Sequence, residues 1–256
     1  RAVFSDVITV APSGADYTDV VSAIAAAKTA IAGGKSSVTI QVAAGEYALR
    51  SQIELDAPIT VSGAGMGKTI FKRDPSVTYT RIAYLHHADA VLEGVTGTGG
   101  RLNSSCGAGV LVEAGTIRDC ELTDSGMGLW NNTQGSCAMV QGPTSKMLRC
   151  SLHDNSSASF YGQGIALYLY NEAVADSCVI YGNVCLYEAA HSIVYVKGAT
   201  LRNCTVVDNW MQEDAAVITE SAAKLNVIDC IICDNRGARR PSCGFDLSAS
   251  GALADR

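Results

Sequence analysis

The chain has 256 residues, with 19 Lys and Arg against 25 Asp and Glu and a formal net charge of −6. The charge is diffuse and no run of Lys or Arg occurs, which argues against nucleic acid as a partner, since phosphate binding leaves a basic footprint. No apolar stretch approaches the length of a membrane span, no signal peptide is visible, and the continuous repeat described below favours one elongated domain over two. The chain opens on Arg1 without a Met, which reads as a processed or trimmed product whose export signal has gone.

Residues 1–36 form a module of their own, a strand followed by a capping helix. The stretch 16–34 is rich in Ala, and Val20, Ile24, Ala27 and Ile31 share one face. Asp and Thr stand before it and a double Gly closes it, the start and stop signals of a helix. At the end of a stacked fold such a helix plugs the open core and covers strand edges. Apolar alternation at 37–42, 45–47 and 59–61 then starts the first coils. Lys68 follows Gly63-Ala-Gly-Met-Gly67 without phosphate-loop spacing, so a turn explains these glycines. His86 and His87 come next, near Lys72, Arg73 and Arg81. As neighbours in a strand they face opposite sides and do not share one metal. A degenerate copy of the later repeat covers 84–96, with Gly94 standing 26 residues before Cys120.

The repeat itself is carried by Cys120, Cys150, Cys178, Cys204 and Cys230, spaced 30, 28, 26 and 26 residues apart. Each lies in nearly the same phrase, such as Leu201-Arg-Asn-Cys-Thr-Val-Val-Asp-Asn209 and Val227-Ile-Asp-Cys-Ile-Ile-Cys-Asp-Asn235. Self-similarity at this period marks a solenoid whose units complete each other's core. The cysteine and the apolar residue two positions on are expected to share the inner side of an extended chain, with polar residues between them, a period of two. Five residues after each cysteine stands Ser125, Asn155, Asn183, Asn209 or Asn235, suited to a bend and able to bond from coil to coil. A second strand precedes each phrase, at 109–112, 138–140, 164–170, 192–196 and 216–219. The reading is an all-β parallel β-helix over 37–235, eight or so coils rising about 4.8 Å each, a rod on the order of 40 Å long. Residues 236–256 read as a tail without a convincing helix or strand, and an uncapped C-terminal end is a route to self-association.

The five ladder cysteines act as small inward hydrophobes, because stacked parallel side chains make poor disulfides. Of the other five, Cys106 with Cys137 and Cys233 with Cys243 are candidate bridges, and Cys185 is unassigned. Asn103, Asn131, Asn155 and Asn203 begin Asn-x-Ser/Thr sequons.

The first-coil phrase Val38-Thr-Ile-Gln-Val-Ala-Ala-Gly-Glu-Tyr47 and the Leu-Arg-Asn-Cys-Thr-Val-Val-Asp-Asn repeats resemble the pectin-lyase-like superfamily, and within it repeat-bearing secreted bacterial surface proteins. The resemblance covers roughly residues 7 to 235. It implies a right-handed, single-stranded parallel β-helix with an N-terminal α-helical cap, at an extracellular or cell-surface location in a bacterium. The fold hosts lyases, hydrolases, esterases, epimerases, tailspikes, adhesins and plain rods, so it does not choose an activity.

Members that cleave acidic polysaccharides use a cation or paired carboxylates with an Arg or Lys as base. Asp119, Glu121 and Arg149 make the nearest approach to that set, and calcium enters only under this lyase reading. The bland alternative is an exposed cross-coil ion pair. The signature phrases of the superfamily's hydrolases and pectin esterases are absent. His153, before an Asn turn, reads as a cap. In 165–170, Ile165, Leu167 and Leu169 are expected to point in, leaving Tyr168 and Tyr170 outside. One coil on, Val194 and Val196 point in, with Tyr195 and Lys197 outside. Tyr161 and Tyr187 lie in adjoining loops, with Glu188 and His191. Outward tyrosines on a flat sheet offer platforms for sugar rings, or simply strengthen the sheet. The function read from the sequence is a secreted or surface β-helix acting by glycan binding, adhesion or structural assembly, with no metal and no cofactor. The alternative is a polysaccharide lyase or glycoside hydrolase acting on an acidic polysaccharide.

Overall fold

A computed structural model describes residues 6–128, 134–158, 162–185, 192–211, 215–220, 226–237 and 245–247. The chain winds into a parallel β-solenoid in which every strand pairing is parallel. A long wall of 15 strands bends into two flanks, a second wall stacks eight strands and a third stacks six. One coil illustrates the path. Ala138–Gln141 and Ser145–Leu148 form the two flanks of the long wall, Ser151–His153 the second wall and Ser156–Ser157 the third. The third wall therefore counts about six full turns, fewer than the eight expected, because the earliest coils lack a third-wall strand.

Helix α1 (Val20–Ala32) is shorter than 16–34 and starts where the expected signals place it. Asp19 is its N-cap and accepts the Ser22 N–H at 2.8 Å, satisfying one of the orphan donors of the first turn. Val20, Ala23, Ile24, Ala27 and Ala30 are buried in the same core as Val38, Ile40 and Ile59, so the helix closes the N-terminal end of the solenoid. Ile31 of the expected face is only partly buried against it.

The repeated phrase is not one strand. Asp119, Arg149, Ser177, Asn203 and Asp229, each just before a ladder cysteine, have φ between 51° and 59°. They are left-handed corners that separate the end of the long wall from the start of the second. Such corners are costly outside Gly, Asn and Asp. Cross-coil bonds hold them: Arg149 N–H reaches Asp176 O at 2.9 Å and Asp119 N–H reaches Leu148 O at 3.0 Å. A second set of left-handed residues, Asp124, Asp154, Gly182, Asp208 and Asp234, precedes the Ser or Asn of each coil. The cysteine thus stands at the head of its strand, side chain inward, with the apolar residue two positions on beside it in the core. In the degenerate coil Gly94 takes the corner place and buried Val95 the cysteine place, one residue later than the sequence alignment put it. Close approach of the two coils is a second reason for Gly here: a Cβ on Gly94 would lie 2.9 Å from Gly63 O, and one on Gly63 2.4 Å from Gly94 O.

Two columns line the interior of these corners. Each ladder thiol points at a carbonyl one coil earlier, Cys150 Sγ lying 3.8 Å from Ile117 O and Cys178 Sγ 3.6 Å from Met147 O. The asparagine column is a continuous hydrogen-bond chain. Asn155, Asn183 and Asn209 donate Nδ2 to the Oδ1 of the next Asn at 2.9, 2.9 and 2.8 Å, and the chain ends where Ser125 N–H donates to Asn155 Oδ1. Asn155 is fully buried in this chain, so its sequon is closed to modification.

Cys106 and Cys137 are free thiols rather than a bridge. Cys137 lies in the lumen core, while Cys106 packs on the outer face of the long wall, so the wall stands between them. Cys233 is exposed and free, and Cys243 lies outside the described residues. The stretch expected to be a tail carries two more strands, Arg236–Gly237 on the third wall and Phe245–Leu247 on the long wall.

Candidate functional site

The lyase-like trio falls into two unrelated groups. Arg149 donates Nε and Nη2 to the two carboxylate oxygens of Asp119, both at 2.7 Å, in a forked pair at the corner. These hydrogen bonds hold the Asp119 carboxyl below its usual range. A guanidinium so engaged is not poised to take a proton from a substrate. Glu93 with Arg118 and Asp176 with Arg202 repeat the same pairing nearby, at 2.6 and 2.7 Å. Glu121 belongs instead to the second wall. It accepts the Thr96 hydroxyl at 2.6 Å and meets His153 Nε2 at 2.9 Å, while His153 Nδ1 meets Asp154 at 2.8 Å. His153 is thus more than a cap. Burial pulls its pKa down, but the bonds to Asp154 and Glu121 outweigh that and raise it. Burial also disfavours the Glu121 carboxylate, and the bonds from Thr96 and His153 reverse the sign, leaving its pKa lowered.

The aromatic face differs from the expectation in one decisive respect. Leu167, Leu169, Val194 and Val196 point into the core and Tyr168 and Tyr195 point away from it, as alternation requires. Yet Tyr168 is 2% and Tyr195 5% exposed. Their rings stack on each other at 5.2 Å, 3° from parallel, and continue a second apolar cluster through Leu111 and Met139. The register Tyr84, Leu111, Met139, Tyr168, Tyr195 runs straight up the wall. These two tyrosines are buried packing and not an open platform. Tyr170, at 40%, is the exposed member of the expected set, paired in register with half-buried Lys197. Tyr161, Tyr187, Glu188 and His191 lie outside the described residues.

Beside the buried column runs a polar row that the sequence did not single out as such. Gln141, Tyr170 and Lys197 are register partners on successive coils. Glu113 extends the row by one coil, accepting Gln141 Nε2 at 2.7 Å and the hydroxyl of Tyr84. Alternation with Leu111 turns Glu113 outward, and the register shift at Val112–Ala114 leaves it without a register partner on the preceding coil. Around Tyr84 the ring of His86 stacks at 4.4 Å and 5°, and the Arg81 guanidinium lies 5.5 Å from the Tyr84 centroid. His86 Nε2 is 3.3 Å from Glu54 Oε1. Burial, and then the Glu113 carboxylate, push the Tyr84 phenol up to about 12, so it stays a neutral donor. Arg81 spends its donors on Gly107 O, Cys106 O and Gln52 Oε1, while its charge acts through space on Tyr84 and Glu113. Lys72 and Arg73 lie on the second wall, apart from the histidines. His87 accepts the Asp89 N–H at the bend.

The descriptive model of the right handed beta helix region matches residues 82–254. The chain belongs to that family. Among solved structures, a pectin methylesterase from Erwinia chrysanthemi is similar at a TM-score of 0.50 and 11% identity, over 88% of this chain and 81% of that one. The A-module of a mannuronan C-5 epimerase from Azotobacter vinelandii is similar at a TM-score of 0.35 and 15% identity, over 85% and 73%. Likeness at these identities speaks for the shared fold alone. No curated protein matches the chain in sequence.

One further feature of this β-helix lies away from the row. A cavity of about 480 Å³ sits between α1 and the second wall, lined by Pro12, Asp19, Tyr47 and Arg50 among others. Among the described residues no three His, Cys, Asp or Glu side chains are grouped to hold a metal ion, and no helix is long and apolar enough to cross a membrane.

Proposed function

We propose that the protein is a β-helix rod that binds a polysaccharide strand laid along the long wall, parallel to the solenoid axis. The observation that carries this reading is the row Glu113, Gln141, Tyr170 and Lys197, one outward polar side chain per coil. Coils repeat at about 4.8 Å, of the same order as the rise per sugar in an extended glycan. A carboxylate, an amide, a phenol and an ammonium are groups that bond sugar hydroxyls, and the exposed Tyr170 ring adds an apolar face. The buried Tyr168–Tyr195 stack stiffens the wall behind them. With a wall, capsular or matrix polysaccharide as the glycan, the same reading places the protein at the cell surface or beyond.

Binding is preferred over lysis because Asp119 and Arg149 neutralise each other and Glu121 is held on another wall. Isothermal titration with short glycans tests the proposal. Tyr170→Ala and Lys197→Ala are each expected to weaken binding roughly tenfold, the effect of losing one good polar contact. Binding that survives the double substitution unchanged would contradict it. Unsaturated products accumulating from a uronic-acid polysaccharide, and lost in Arg149→Ala, would establish the lyase instead.

A further inference from the structure

We infer that the glycan held on the long wall carries its positive charge at one end of the site: a β-1,4-linked amino-sugar segment whose ammonium groups meet Glu54 and Glu113, while Lys197, three coils beyond Glu113, bonds hydroxyls of the strand past that segment. This deepens the reading of the long wall as a glycan surface and rests on it. Glu113 is oriented by two neutral donors, the Tyr84 hydroxyl on one oxygen and Gln141 Nε2 on the other. Among the described residues no Lys, Arg or His forms an ion pair with it. A carboxylate accepts about four hydrogen bonds, so each Glu113 oxygen keeps acceptor capacity after these two. The Arg81 guanidinium acts on Glu113 only through space, because its hydrogen bonds are committed to Gly107, Cys106 and Gln52.

Glu54 is the second such group. Its side chain is 46% exposed and among the described residues meets only His86 Nε2, at 3.3 Å, an ion pair only when the ring is protonated. That nitrogen is buried and makes no hydrogen bond. Glu54 pairs in register with Tyr84, and Tyr84 with Leu111, two residues before Glu113. The two carboxylates therefore stand on strands two coils apart, about 10 Å along the axis. In a β-1,4-linked chain successive rings are turned over, so one substituent returns to the same side every second sugar, a period of similar length. The stacked rings of Tyr84 and His86 fill the coil between them. A uronic-acid chain would instead set its carboxylates against these two, like charge on like.

Calorimetry at mildly acidic pH with three hexamers tests this: glucosamine, N-acetylglucosamine and galacturonic acid. The glucosamine hexamer is expected to bind about tenfold or more tighter than its acetylated form, as charge-assisted bonds to carboxylates require. Added salt should erode that advantage, and Glu54→Gln with Glu113→Gln should abolish it. If the acetylated or the galacturonic acid hexamer binds as tightly as glucosamine, the charge inference is overturned and the glycan surface stands. If none of the three binds, both fall. The comparison of hexamers on the unaltered protein needs no variant, so it holds even if the double substitution fails to fold.

Discussion

The inner corners of the solenoid and the outer face of its long wall are built from the same strands, yet they obey different rules. Inside, every coil meets the same problem: a backbone turning a corner with nothing but the neighbouring coils to bond. The solution repeats in kind: Cys in five coils, and Asn in four. Outside, each position meets a different neighbour. Tyr168 is covered, Tyr170 two residues on is open, and Glu113 stands at a register shift that no other coil shows among the described residues. Repetition therefore reports on folding, and departures from it report on what the surface does.

Five substitutions would break or sharpen that contrast. The largest effect belongs to the inner column. Asn183→Ala removes donors to Leu152 O, Tyr181 O and Asn209 Oδ1 and strips the acceptor from Asn155. Leaving several buried groups unpaired is expected to cost about 4 kcal/mol, read from chemical denaturation. A cost near zero would mean the column is not a structural element. Next comes the buried tyrosine. Tyr168→Ala should cost about 3 kcal/mol as a core truncation, whereas Tyr170→Ala should change stability by less than about 0.5 kcal/mol. Equal, small effects at both would restore the open platform expected from alternation.

A smaller effect tests the second wall through pH. The raised His153 pKa contributes stability that is present below its ordinary value of 6.5 and lost as pH rises through the folded value. The lowered Glu121 pKa contributes stability that is present above its ordinary 4.5 and lost as pH falls. The difference in melting temperature between the protein and His153→Gln should therefore be largest between pH 4.5 and 6.5 and shrink on either side. A difference independent of pH would remove the ion pair from the account. The smallest effect is expected at the corner: Arg149→Ala, losing an exposed pair with Asp119, should cost no more than about 1 kcal/mol.

Much of the fold was legible because the inner column is periodic. Five cysteines and four asparagines located the coils, and the helix signals around Asp19 located the cap. The same alternation put Tyr168 and Tyr195 on the outside of the wall, correctly, but alternation tells which side of a sheet a residue takes and not what lies over that side. The left-handed corners at Arg149 and Ser177 were hidden because neither residue type favours that conformation; inter-coil bonds impose it. The polar row was missed because Glu113, Gln141, Tyr170 and Lys197 share no residue type, and only register brings them together. Past Asn235 the pattern of side chains fades while the backbone goes on pairing, so the last strands were invisible to a search for repeats.

The most direct test of a glycan strand along the long wall is a hydrogen-exchange footprint of the protein with and without a bound oligosaccharide. Slowed exchange confined to the long-wall peptides, those carrying Glu54, Tyr84, Glu113, Gln141, Tyr170 and Lys197, is the predicted result. Protection centred on the second wall around His153 and Tyr181, with the long wall unchanged, would contradict it.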